Sequence, residues 1–208
     1  GMDNWLSAND PNQMICASQY GNFYGSQDGG FNFQPLQISS ETAEWTAPLI
    51  GDRRPNETLY AGYGNVFASN DGFTWNQISN FPPDAGSGYQ PELTAIAVSA
   101  SNPQVLMTTR RVRYEYGIMG KCFRTSNAGG TWQDITAGLP DSLYFTSVEI
   151  SHTNPMQAWV TCAGFTAGTK VFETQDGGAH WTNISYDLPN LPLNIIKQLP
   201  STIDNQLV

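Results

Sequence analysis

The stretch TQDGGAHW, Thr174–Trp181, is too polar and too glycine-rich to be core, yet it closes on tryptophan. The chain writes close copies of it three more times: SQDGGFNF from Ser26 to Phe33, SNDGFTW from Ser69 to Trp75, and TSNAGGTW from Thr125 to Trp132. Each opens on a hydroxyl residue, carries Asp28, Asp71, Asn127 or Asp176 two residues later, passes through glycine (Gly30, Gly129 and Gly178 in the full-length copies), and ends on an aromatic ring. Glycine takes positive φ at no steric cost, and a short acceptor side chain can receive backbone N–H groups across a bend. The stretch therefore reads as a tight turn, pinned by its carboxylate and roofed by Phe33, Trp75, Trp132 or Trp181. Asn127 keeps an acceptor oxygen, so the third turn is expected to form with a weaker, neutral bond. The second copy is one residue short.

Other landmarks recur with the turn. An aromatic stands two residues before each copy, at Tyr24, Phe67, Phe123 and Phe172, and an aliphatic three residues after its last ring, at Leu36, Ile78, Ile135 and Ile184. Prolines 11, 55, 103 and 155 recur at similar intervals, each five residues after Leu6, Ile50, Val98 or Ile150. Between these landmarks LTAIAVS and FTSVEIS alternate in step, the mark of a strand with one buried face. One unit thus reads as four strands: an alternating strand, a proline turn, a strand such as QVLMTT, a strand such as KCFRT, the glycine-rich turn, and a last strand such as TWQDIT. Four antiparallel strands repeated about every 45–50 residues indicate an all-β chain of β-propeller blades. A row of separate sandwiches would not demand such regular landmarks. The blades are expected near residues 3–38, 45–80, 93–137 and 145–186, with 194–208 opening a fifth, as in a single propeller that is a piece of a larger one. Open blade edges would then favour an unusually small ring or self-association with a second copy.

Composition narrows the function classes. Among 208 residues, 39% are hydrophobic and 12% aromatic, enough for a core, while only 13% are charged, about half the usual share. The net charge of −9 argues against a nucleic-acid partner, which would need counterion release by basic groups. Arg110, Arg111 and Arg113 are followed by Glu115 and read as a solvated strand edge. Cys16, Cys122 and Cys162 have neither framework nor metal spacing and read as buried thiols. His152 and His180 lack ligand-like neighbours, so no metal and no cofactor are expected. No apolar run reaches the length of a membrane span, and no signal peptide is present, Gly1-Met2 reading as a remnant of expression.

The four turns resemble the Asp-box, or bacterial neuraminidase repeat, Ser/Thr-x-Asp-x-Gly-x-x-Trp. Ser26, Asp28, Gly30 and Phe33 fit it, as do Thr174, Asp176, Gly178 and Trp181. Thr125, Asn127, Gly129 and Trp132 depart at Asn127, and Ser69, Asp71 and Trp75 depart in length. The flanking GLP, DLP and NP segments are similar to those of sortilin-type, photosystem-assembly and xyloglucan-hydrolysing propellers, and still more to repeats of secreted bacterial surface proteins. The resemblance implies an extracellular or cell-surface setting, with the boxes on the outer rim, away from any active site. Their spacing also fails the calcium-loop template, which needs oxygens at alternating positions.

A ligand is then expected on the face formed by the connections between second and third strands and by the links between blades. Those segments carry Trp45, Tyr89, Tyr114, Glu115, Tyr116, Tyr144 and Tyr186, a mixture suited to sugar stacking and equally to loop packing. The residues support a non-catalytic module for a glycan or protein ligand. The alternative is a glycoside hydrolase of the sialidase or xyloglucanase type, which needs two carboxylates at a set separation. No such pair is marked locally, and GDRRP around Arg53 and Arg54 is a strand-one-to-two turn rather than the arginine-isoleucine-proline stretch expected of a sialidase.

Overall fold

β-branched and aromatic residues, broken by Gly and Pro at short intervals, can satisfy their backbone only in short paired strands. The structure, a computed structural model, describes residues 2–52, 54, 57–199 and 207. It contains four antiparallel sheets, each built from four consecutive strands. The first holds β1 (Asn4–Leu6), β2 (Met14–Ala17), β3 (Phe23–Ser26) and β4 (Gln34–Leu36); the second β5 (Leu49–Gly51), β6 (Leu59–Gly62), β7 (Val66–Ser69) and β8 (Asn76–Gln77). The third holds β9 (Leu93–Val98), β10 (Leu106–Arg110), β11 (Lys121–Thr125) and β12 (Gln133–Asp134); the fourth β13 (Phe145–Ile150), β14 (Ala158–Cys162), β15 (Val171–Thr174) and β16 (Thr182–Asn183). These are β-propeller blades, as the landmarks predict. Helix is confined, among the described residues, to single 3₁₀ turns at Gln19–Gly21 and Tyr114–Tyr116.

The chain forms two compact units, Gly1–Thr94 and Ala95–Val208. The first packs Ile15, Phe23, Leu49, Leu59, Tyr63 and Phe67 into one core, and the second packs Met107, Cys122, Ile135, Phe145, Val148 and Phe172. One expectation changes here. The alternating strands bury both faces: β13 has only Thr146 partly exposed. Its polar positions find partners, Thr146 Oγ1 lying 2.7 Å from Thr161 Oγ1 and 2.6 Å from Leu193 O, and Glu149 meeting Lys197. Likewise Thr108 donates to Ala95 O at 2.8 Å. A strand buried on both faces has no solvent side, so the period-two pattern here does not separate outside from inside. The last strand of each sheet is the opposite case, two or three residues long, and β4 carries Pro35, which an outer edge tolerates. Cys122 and Cys162 are buried free thiols as expected, whereas Cys16 is only half-buried.

The glycine-rich stretch joins the third and fourth strand in every sheet. Its centre is the opening hydroxyl, and Ser26, Ser69, Thr125 and Thr174 are each at most 3% exposed. That hydroxyl donates to Oδ1 of Asp28, Asp71, Asn127 or Asp176 at 2.8–2.9 Å. It also accepts the N–H of Gly30, Gly72, Gly129 or Gly178 at 2.8–3.1 Å. The same Oδ1 takes the N–H of Asn32, Thr74, Thr131 or His180 at 2.6–2.9 Å. The short second copy simply omits one left-handed residue: Gly72 alone has positive φ there, against Gly29 with Gly30, Ala128 with Gly129, and Gly177 with Gly178.

The proline landmark and the glycine landmark meet in space. Gln13, Val105 and Gln157 close turns onto Asp10, Asn102 and Asn154 through the prolines at 11, 103 and 155. The residue after each proline then offers its carbonyl to the neighbouring turn: Gly29 N–H to Asn12 O at 3.1 Å, Ala128 N–H to Gln104 O at 2.9 Å, Gly177 N–H to Met156 O at 2.7 Å. Arg53, Pro55 and Asn56 lie outside the described residues, so the proline landmark of the second sheet does too. A third repeated position, read in sequence only as part of the last strand, is a hydroxyl four residues past the closing ring. Ser79, Thr136 and Ser185 accept the N–H of Val66, Cys122 and Val171 at 2.8–3.0 Å.

The closing tryptophans are half-buried, Phe33 is exposed, and the rings do different things. Trp75 donates back to Gly72 O of its own turn at 3.1 Å, whereas Trp181 reaches Ile135 O, at the end of the third sheet, at 2.8 Å. After β16 the chain returns along the fourth sheet: Ile196 packs with Trp159 and Val171, and Lys197 Nζ meets Glu149 Oε2 at 2.6 Å. Gln198 pairs with Leu207 in an isolated antiparallel bridge, and residues 200–206, where the fifth unit was expected to continue, lie outside the described residues.

Ala128 has φ +54°, a conformation that costs an L-residue roughly 1–2 kcal/mol and glycine almost nothing. Ala128→Gly is expected to raise unfolding stability by ~0.5–1 kcal/mol, part of the gain going to chain entropy. Gly177→Ala, at φ +73° with Met156 Cε 2.9 Å from the new methyl, should lower it by about 1–2 kcal/mol. Denaturant titration of both variants checks the opposite signs.

Hydrogen bonds hold Asp28, Asp71 and Asp176 at a pKa of about 2, first the Asn32 side chain, the Thr74 N–H and the His180 N–H respectively. A carboxylate held lower in the folded state than its ordinary 3.8 stabilises above that value and loses its contribution as pH falls towards 2. Hydrogen-exchange protection of the Asn32, Thr74 and His180 amides should therefore decline between about pH 4 and pH 2. The Thr131 amide, bound to the carboxamide of Asn127, should not follow that titration.

Candidate functional site

Carboxylates come first, because glycoside hydrolysis needs a pair of them, one kept protonated. The three turn aspartates are shifted the opposite way and are bound within their turns. The buried acids are likewise engaged. Asp52 pairs with Arg54, Glu149 with Lys197, and Glu92 accepts the Tyr89 hydroxyl. Glu41 takes both the backbone N–H of Asn65, at 2.9 Å, and its side-chain amide, at 2.8 Å. Asn65 in turn accepts from Ser79 and from the Phe81 N–H, so Glu41 ties a link segment to the core of its sheet. A polar cavity of about 490 Å³ lies over Trp5, Asp10, Glu57 and Asp71. There Glu57 accepts the Trp5 indole at 2.9 Å, and Asp10 caps its own turn by taking the Asn12 N–H at 3.0 Å. Among the described residues no group of three or more His, Cys, Asp or Glu is placed to hold a metal ion, and no helix is long and apolar enough to cross a membrane.

The expected ligand-face residues divide between the units. In the first, Trp45 is 52% exposed and meets Tyr20 edge to face, ring centroids 5.1 Å apart. Tyr20 N–H donates to Trp45 O at 3.2 Å, which fixes the link against the β2–β3 connection. Beside Tyr20 lies a second cavity of about 200 Å³, bordered by Tyr24, Gln37, Ser40 and Glu41. Tyr89 is half-buried and spent on Glu92. Tyr63 also lies in a β2–β3-type connection, but it is buried between Phe23 and Phe67 and donates to Gly21 O at 2.6 Å. Burial pushes its phenol well above the ordinary value.

In the second unit the long loop after β10 folds onto the link before β13. Tyr114 donates to Ser142 O, Gly120 N–H donates to Asp141 O at 2.7 Å, and the Arg111 guanidinium sits 5.7 Å from the centre of the Tyr144 ring. Glu115 pairs with Arg113 at 3.4 Å, and Tyr116 stays exposed at the end of its 3₁₀ turn. The arginine run is not the solvated edge its sequence suggests: Arg110 is buried on β10, over the Phe123 ring. Alternation along a twice-covered strand places it inside, where an aromatic face accommodates the guanidinium. Tyr186 stands apart, 84% exposed, in the link after β16. Tyr114 and Tyr144 are thus brought together as loop packing, Trp45 is left presenting a ring, and Tyr20 is the partner that gives Trp45 its setting. In sequence Tyr20 is marked by its place in the connection between second and third strands, followed by Gly21 and Asn22 as Tyr63 is by Gly64 and Asn65.

No protein-family profile matches the chain, and neither does any curated protein. Solved structures do. An ancestral GH74 enzyme superposes with a TM-score of 0.63 at 17% identity, over 88% of this chain and 24% of its own. The GH74 xyloglucanase from Xanthomonas campestris gives 0.62 at 16% identity, over 86% and 29%, and a GH74 enzyme from Niastella koreensis gives 0.59 at 19%, over 85% and 28%. The chain thus spans 24–29% of the length of these enzymes. At such identity the likeness is one of fold, and the fold it shares is the β-propeller.

Proposed function

We propose that the chain is a non-catalytic Asp-box β-propeller module, carbohydrate-related, of a secreted or cell-surface protein. The observation that carries the non-catalytic part is the state of the carboxylates. Asp28, Asp71 and Asp176 are held ionised to about pH 2 within their own turns, and Glu41, Asp52 and Glu149 are bound to named structural partners. The hydroxyl–carboxylate–glycine network supports reading the four turns as Asp-boxes, including the Asn-bearing third. The likeness to GH74 enzymes, one of them named a xyloglucanase, supports a link to carbohydrate. It equally supports the second reading, a glycoside hydrolase of that kind with this chain as part of it.

Incubation with xyloglucan and a panel of aryl glycosides separates the two. No released sugar is expected from the chain. Turnover that disappears on a single change such as Glu41→Gln or Asp141→Asn would establish the hydrolase instead.

A further inference from the structure

Tyr20 and Tyr63 occupy the same place in the repeat, each followed by Gly-Asn and each four residues before the aromatic that precedes the turn. Their fates differ. Tyr63 turns its ring inward, seals the core of the first unit and is 3% exposed. Tyr20 adopts φ +61°, a left-handed conformation rarely held by a bulky residue, and its ring stands 59% exposed. The two are linked, because Tyr63 already fills the space beneath: a methyl on Gly21 would lie 2.7 Å from its ring. An aromatic in strained backbone, directed outward and locked to a second exposed aromatic, is costly to folding and brings no core packing in return.

We infer that Tyr20 and Trp45 form an aromatic corner, their rings at 79°, that holds one ring of a neutral saccharide stacked on one of them, with the adjoining cavity taking that sugar's hydroxyls. The inference rests on the carbohydrate-module reading above and assigns that reading its site. Edge-to-face contact at 5.1 Å and the Tyr20 N–H···O=C Trp45 bond fix both rings before any ligand arrives, which limits the ordering cost of binding. The cavity of about 200 Å³ is of the order of a single sugar ring, and Gln37, Ser40, Glu41 and Asn22 border it with amides, a hydroxyl and a carboxylate. Each oxygen of Glu41 already accepts one bond from Asn65, and an ionised carboxylate has about four acceptor sites, so it can still receive sugar hydroxyls. A net charge of −9 and a carboxylate in the wall disfavour anionic sugars, and a neutral glycan remains.

Affinity electrophoresis in gels containing xyloglucan, mixed-linkage glucan, xylan or mannan tests this, followed by calorimetry with an oligosaccharide of whichever polymer retards the protein. Wild type should be retarded by at least one. Trp45→Ala and Tyr20→Gly should each weaken binding tenfold or more, while Trp45→Phe retains it. Tyr20→Gly matters most, since glycine suits the left-handed backbone: its melting temperature should not fall although binding does, which a purely structural role would not give. Tyr186→Ala, at a tyrosine still more exposed but in the other unit, should bind as wild type. Retardation of wild type that persists in both Trp45→Ala and Tyr20→Gly would overturn this site and leave the carbohydrate reading standing. Wild type that is retarded by none of the four polymers would overturn both.

Discussion

A buried hydroxyl at the end of the third strand organises each blade. It gives its proton to a carboxylate or carboxamide two residues on and receives a glycine N–H from the far side of the bend, so five or six residues of exposed backbone become a closed ring of bonds. The carboxylate is the visible member of the set, yet it is the more solvent-exposed one. Thr174 is 1% exposed, whereas the Asp176 side chain is 44% exposed. Loss of the hydroxyl would strand a buried N–H group, and such groups are expensive to leave unmade.

The turn does not act on its own sheet's ends alone. In the first, third and fourth sheets its first left-handed residue gives its N–H to the carbonyl after a proline at the same end of the blade, so both hairpins there are fastened together. In the second unit it also reaches the neighbouring sheet. A methyl on Gly178 would meet Ile135 Cδ1 at 2.6 Å, and the Trp181 indole bonds to Ile135 O. Glycine is required there for close approach as well as for φ +93°. One motif thus closes a strand pair, joins two hairpins and seats one blade on the next, which explains why proline, glycine and tryptophan recur in a fixed phase.

Function follows from what the blades leave over. Several aromatics in the connections are engaged in packing: Tyr63 in a core, Tyr114 and Tyr144 in a loop-to-link clasp, Tyr89 on Glu92. The Tyr20 and Trp45 rings are held in place and still present themselves to solvent, beside polar groups. Exposure by itself is common among apolar residues, but exposure combined with fixed geometry and backbone strain is not.

The sequence by itself determined the blade. Hydroxyl, carboxylate, glycine and ring act over eight residues, and such local bonds are spelled by local spacing, so the sheet order and the third and fourth strands of every unit were legible. It also showed where connections lie, because Gly and Pro mark them. Tertiary structure alone decided which side each connection presents. Tyr20 and Tyr63 share one local sequence pattern, yet the ring of Tyr63 packs beneath Gly21 while that of Tyr20 turns out to meet Trp45. Arg110 reads as surface and is buried over the Phe123 ring of the next strand. These outcomes depend on residues well away along the chain, competing for the same volume, and no local pattern carries that information.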